Sequence, residues 1–188
     1  MVGRSARYAG RVGCVVNLRD EGFGLAKHPE VAYDLLPDDQ SGVYAWTVTT
    51  DALDSLVPEN LPRIPSGSVV YIGKANKLRK RAPHHRWTSS SSSLRRNLAG
   101  IMGLQGLWLP RASKPRLVQE HEMALSLWMR SNLALSWRAV DEGYVQFEKL
   151  LLSKLTPPLN VDPPETELQW WVYGQLQKLK DEALPPHQ

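Results

Sequence analysis

Cysteine is almost missing from this chain. Cys14 is the only thiol among 188 residues. That rules out an intramolecular disulfide and a cysteine-rich zinc site, and it suits a reducing, cytoplasmic setting. Long apolar runs are also missing: none approaches the roughly 20 residues of a membrane span. The start, M-V-G-R-S-A-R-Y-A-G-R, is basic without the apolar stretch of a signal peptide. We therefore expect an intracellular protein that does not meet a membrane. The third absence is local. Between residues 61 and 119 there is no Asp or Glu, while Arg63, Lys74, Lys77, Arg79, Lys80, Arg81, Arg86, Arg95, Arg96, Arg111, Lys114 and Arg116 all fall there. The flanks compensate, with five basic against nine acidic residues before the block and six against ten after it. Such one-sided charge implies an anionic partner, nucleic acid first among them. A solvated basic face without a ligand is the competing reading.

The length suits one domain with a real core. Its centre of interest is residues 68–86, S-V-V-Y-I-G-K-A-N-K-L-R-K-R-A-P-H-H-R. Val69, Val70, Tyr71 and Ile72 are strand formers. Gly73 permits a turn and a close approach, and a helix rich in Lys and Arg is expected after it. A second strand is predicted at 42–49, where Tyr44, Trp46 and Val48 alternate with Val43, Ala45 and Thr47. In an antiparallel pair Tyr44 and Tyr71 fall on one face. The third strand is read from Leu133, Leu135, Trp137 and Ala139.

The remaining elements follow from local signals. Pro29 opens a short helix to residue 36. A basic arm at Arg4, Arg7 and Arg11 and a short strand at 12–18 are candidates. The proline-bearing connection at 50–67 reads as a surface excursion with one helical turn. In the serine run 89–93, one serine caps a helix to about Met102; its hydroxyls with Arg95 and Arg96 would suit a phosphate. Helices are expected at 116–130, 141–155 and 164–183. His121 lies on the apolar stripe of Val118, Leu125 and Trp128, so it reads as a hydrogen-bonded core histidine. Trp87, beside Arg86, is the one tryptophan placed to stack on a base.

Glu148 is the odd residue of the 141–155 helix. At about 100° per residue it falls inside the apolar face made by Tyr144, Val145, Phe147, Leu151, Leu152 and Leu155. A carboxylate there needs a cation, either a basic side chain or a metal ion.

These residues together carry a resemblance. Gly42-Val43-Tyr44, Tyr71-Ile72-Gly73-Lys74-Ala75, Leu78-x-x-Arg81, Glu148 and Pro158-Leu159-Asn160 occur in that order, and the chain resembles the GIY-YIG nuclease family. The resemblance implies an α+β fold, a small central antiparallel three-stranded sheet flanked by helices. It implies a catalytic domain at 42–160, an N-terminal extension at 1–41, and a C-terminal helix at 161–188 packed on the core or on a partner subunit. Its implied chemistry is hydrolysis of DNA phosphodiester bonds with one divalent cation, Mg²⁺ or Mn²⁺, held by Glu148. Tyr44 and Tyr71 would meet at the site, and one of them, with Tyr71 favoured, would orient or deprotonate the attacking water. Lys74 would assist that tyrosine or the phosphate. Arg81 would bind the scissile phosphate, Asn160 would complete a network at the edge, and His85 stands four residues after Arg81 where many members carry histidine. Lys77, Arg79, Lys80, Arg86, Arg95 and Arg96 are the candidate nucleic-acid contacts. RNA as substrate, a homodimer on symmetric sites, and a binding module without catalysis stay open at this point.

Overall fold

A computed structural model describes residues 17–82, 84–110 and 112–185. The expected basic arm and most of the strand around Cys14 lie outside them. Three strands form the sheet, with β1 (Gly42–Val48) in the middle. β2 (Val69–Ala75) and β5 (Leu133–Ala139) flank it, and both pairings are antiparallel. This is the expected α+β architecture. The reason lies in β1 itself: its side chains are apolar on both faces, as a central strand covered on two sides requires. Val43 and Ala45 pack with Ile72, Phe23 and Leu151, the last from α6 (Tyr144–Leu155). Tyr44, Trp46 and Val48 face the larger core, with Leu94 and Leu98 of α4 (Ser93–Ile101) and Leu125 of α5 (Gln119–Asn132).

Other elements appear close to where local signals put them. α1 (Pro29–Leu35) starts on its proline. The 49–68 connection carries a 3-10 turn at Asp54–Leu56, and Leu53 and Ile64 anchor it in the core. Asp54 pins it further, accepting from Arg63 Nη2 at 2.6 Å and from the Ile64 amide at 2.5 Å. The basic helix is two pieces, α2 (Leu78–Arg81) and α3 (His84–Trp87). A proline at 83 accounts for the break. Ser92 caps α4, its Oγ accepting from the Arg95 amide at 3.1 Å.

Several boundaries differ from expectation. The glycine of Y-I-G does not turn the chain; β2 runs on to Ala75. α5 begins at Gln119 and not at 116, because Arg116–Leu117 (β4) pairs with Gly106–Leu107 (β3). α6 begins after Gly143, whose φ of +75° is a backbone state open to glycine.

α7 (Glu167–Asp181) closes the fold. A capping box between Thr166 and Gln169 starts it. Gln169 also donates from Nε2 to the Pro157 carbonyl at 2.9 Å, tying α7 to the loop after α6. α7 crosses α4 at Gly100, where a Cβ would lie 2.8 Å from the Gln175 backbone, so only glycine permits this approach. The loop at 157–161 covers the outer edge of β2, with the Leu159 amide donating to the Val70 carbonyl at 2.9 Å. Among the described residues no helix is long and apolar enough to cross a membrane.

Candidate active site

Register brings the two tyrosines together. Tyr44 stands opposite Gly73, and Tyr71 opposite Trp46. The Tyr44 ring lies across β2 directly over Gly73: a Cβ on that glycine would be 2.4 Å from the Tyr44 hydroxyl. Close approach, not a turn, is why glycine stands there. The ring centroids of Tyr44 and Tyr71 are 6.5 Å apart.

Behind them lies His85, fully buried. Its Nε2 is 2.8 Å from Tyr44 Oη and its Nδ1 is 2.6 Å from Ser92 Oγ. The break between α2 and α3 does not turn this side chain away from the site. Burial pushes the imidazole well below its ordinary range, and Arg81, His84, Arg95 and Arg96 add to the shift. The ring is thus neutral near pH 7, with one donor and one acceptor nitrogen, so its contacts to Tyr44 and Ser92 take opposite roles. Burial likewise raises the Tyr44 phenol far above its ordinary range; Tyr71 and Glu148 push the same way, while Arg81 opposes them. The capping role of a serine was readable in the sequence. Its contact to His85 was not, because it joins two helices across a loop.

A pH effect follows from His85. Between its low folded value and the ordinary value near 6.5, the unfolded chain holds a proton that the folded chain does not. Stability therefore rises with pH through that window and is lost as the pH falls through it. From this group we expect a loss of up to about 1.4 kcal/mol per pH unit below pH 6.5. Urea unfolding of wild type and His85→Gln between pH 7 and 5 checks it. The variant should show the shallower slope, and equal slopes refute the assignment.

Tyr71, Lys74, Glu148 and Asn160 line one open cleft of about 770 Å³ along the outer edge of β2, together with Ser93 and Arg96. Of the paired tyrosines Tyr71 is the one that lines this cleft, its Oη 3.3 Å from Ser93 Oγ. Asn160 forms two hydrogen bonds to Ile72, accepting from its amide at 2.9 Å and donating to its carbonyl at 2.8 Å. It therefore holds the cleft edge as a neighbouring strand would. Glu148, 9 % exposed, is paired with the Lys74 ammonium. The cation demanded by its place on the apolar face is thus, in this structure, Lys74. Arg81 stands outside the cleft lining. It donates from Nη1 to the Ser91 carbonyl at 3.1 Å, on the Tyr44 side.

The basic block is less available than its composition implied. Among the described residues six of its members are ion-paired: Arg63 with Asp54, Lys74 with Glu148, Lys77 with Asp39, Arg79 with Asp38, Arg86 with Glu30, and Arg95 with Glu122. Lys80 is exposed without an acid partner among the described residues. Arg86 also stacks over Trp87, its guanidinium carbon 4.4 Å from the ring centroid of that exposed side chain. Arg95 is a correction. It has no exposure and is saturated by Glu122, the His85 and Arg86 carbonyls and Ser126. It joins α3, α4 and α5 and offers nothing to a surface ligand. His121 is hydrogen-bonded as expected, its Nδ1 accepting from the Gln105 amide at 2.7 Å.

The donor set fits a single hard cation. Glu148 is the one buried carboxylate on the cleft, and the described residues contain no cluster of three His, Cys, Asp or Glu side chains. Mg²⁺ is commonly held this way, by one or two carboxylates with waters and substrate phosphate oxygens.

Paired phenols, a shielded carboxylate and several basic side chains thus gather on a small antiparallel sheet. The comparison with known families agrees: the GIY-YIG catalytic domain matches residues 42–182, and the chain belongs to that family. The match includes α7. Membership implies nuclease activity on a nucleic-acid substrate, and the members generally use a divalent metal. No curated protein and no solved structure matches the chain.

Proposed function

We propose that this chain is a metal-dependent DNA endonuclease working by a one-metal, tyrosine-assisted hydrolysis, in an intracellular restriction or repair setting. The observation that carries this reading is the cleft that Tyr71, Lys74, Glu148 and Asn160 share. Tyr71 offers its hydroxyl to the cleft and orients the attacking water. Tyr44 and the neutral His85 form a second layer that fixes the Tyr71 ring, since both rings pack against it. Neutral phenols approach a phosphodiester without the repulsion a carboxylate would meet. Lys74, about a third exposed, is long enough to leave Glu148 for a phosphate oxygen. Glu148 would hold the divalent cation, which when bound supplies charge stabilisation for the leaving oxygen.

The test is cleavage by the purified protein with Mg²⁺ or Mn²⁺ of supercoiled plasmid, single-stranded DNA and RNA, followed by mapping of the ends. Discrete cuts in duplex DNA are the expected result. Cleavage of RNA alone replaces DNA with RNA as the substrate, and no cleavage of any of the three leaves a binding module.

A further inference from the structure

Arg95 and Arg96 are neighbours on α4, and both are buried. Their surroundings differ. Arg95 has a carboxylate, Glu122, at 2.8 Å. Arg96, 6 % exposed, has no acid within ion-pair distance among the described residues. Its Nη1 donates to the Ser89 carbonyl at 2.7 Å and to the Ser90 carbonyl at 2.8 Å, which uses both hydrogens of that nitrogen. Nε and Nη2 have no hydrogen-bond partner among the described residues, and the side chain lines the cleft beside Tyr71 and Ser93.

A largely buried guanidinium without an anion is disfavoured, and hydrogen bonds to the two carbonyls offset only part of that cost. The two carbonyls hold the fork in one orientation and leave its other edge for a ligand with two acceptor oxygens. We propose that Arg96 is the phosphate-binding residue of the cleft, taking a phosphodiester of the bound strand through Nε and Nη2. This rests on the nucleic-acid reading of the site, and it assigns to Arg96 the contact that the family resemblance implies for Arg81.

Two further observations agree. Burial and Arg81 both hold the Arg96 guanidinium below its usual range, a penalty that an arriving phosphate removes. Lys114, Lys149 and Lys180 line the same cleft with no acid partner among the described residues, so adjacent phosphates also meet positive charge. The acids Asp162 and Glu165 line it too, on the exposed part of the loop before α7.

The experiment measures binding of fluorescein-labelled DNA oligonucleotides, single-stranded and duplex, in EDTA over a salt series. Arg96→Gln should bind about tenfold more weakly, and the slope of log affinity against log salt should fall by about 1. Arg96→Lys keeps the charge but loses the fork, and should lose affinity while keeping most of the slope. A purely structural arginine would change melting and leave the salt slope alone. The proposal is overturned if folded Arg96→Gln binds with wild-type affinity and slope. Should Arg96→Gln fail to fold, wild-type affinity in Arg96→Lys overturns it. Failure of wild type to bind either oligonucleotide also does. The nuclease reading fails separately: if wild type with Mn²⁺ cuts nothing while Arg96→Gln loses its phosphate contact, the anion site stands without the catalysis.

Discussion

Glu148→Ala is expected to lower cleavage on the order of 10³-fold, a loss typical of removing one charge-stabilising group from an active site, and to leave the fold intact. Two facts separate these effects. Among the described residues Glu148 is the one buried carboxylate on the cleft, and Asp162 and Glu165, on the exposed loop, are poor substitutes. Its partner Lys74 is 38 % exposed, so the ammonium left behind turns to water, and the lost pair costs about 1 kcal/mol or less. Salt-dependent DNA binding should persist, since the cleft then gains positive charge. Cleavage rates, thermal melting and Mn²⁺ binding followed by electron paramagnetic resonance check the three parts. A variant cutting within tenfold of wild type removes Glu148 from the chemistry.

The second large effect needs only one methyl group. In Gly73→Ala the added Cβ would meet Tyr44 Oη at 2.4 Å, Cζ at 2.5 Å and Cε2 at 2.9 Å. The phenol has nowhere to go, being 1 % exposed and held by His85 at 2.8 Å. Either β2 separates from β1 or the Tyr44–His85 contact breaks. We expect a destabilisation of about 3 kcal/mol, at the upper end for overpacking. We also expect at least a 10²-fold loss of activity, because catalytic groups displaced by an ångström lose that much. Gly174→Ala on α7 is the control: nothing lies within 4 Å of its Cβ, and a helical Gly→Ala change stabilises by about 0.5–1 kcal/mol. Denaturant melts and cleavage rates of both variants decide the matter, and a Gly73→Ala protein that melts and cuts like wild type contradicts the packing described.

Charge was the signal read least well from sequence. Lys77 and Arg79 looked like a free basic face, but Asp39 and Asp38 come back to them from before β1. Arg95 and Arg96 looked alike as residues beside a serine run. What separates them is Glu122 on α5, a partner 27 positions away from Arg95. Side-chain pairing at such separations leaves no local pattern. The tyrosine pair and the Glu148 position were legible because strand alternation and helical periodicity are local properties of the chain.

Sequence alone determined the three strands, the face that Tyr44 and Tyr71 share, and the misplaced carboxylate at Glu148, because each follows from the periodicity of one segment. Tertiary structure decided which cation meets Glu148, that His85 reaches Tyr44 across a helix break, and that Arg96, not Arg81, lines the cleft. The physical reason is that these are contacts between segments. Their partners are chosen by how α3, α4, α6 and the loop at 157–161 pack around the edge of β2, and no single stretch of residues contains that information.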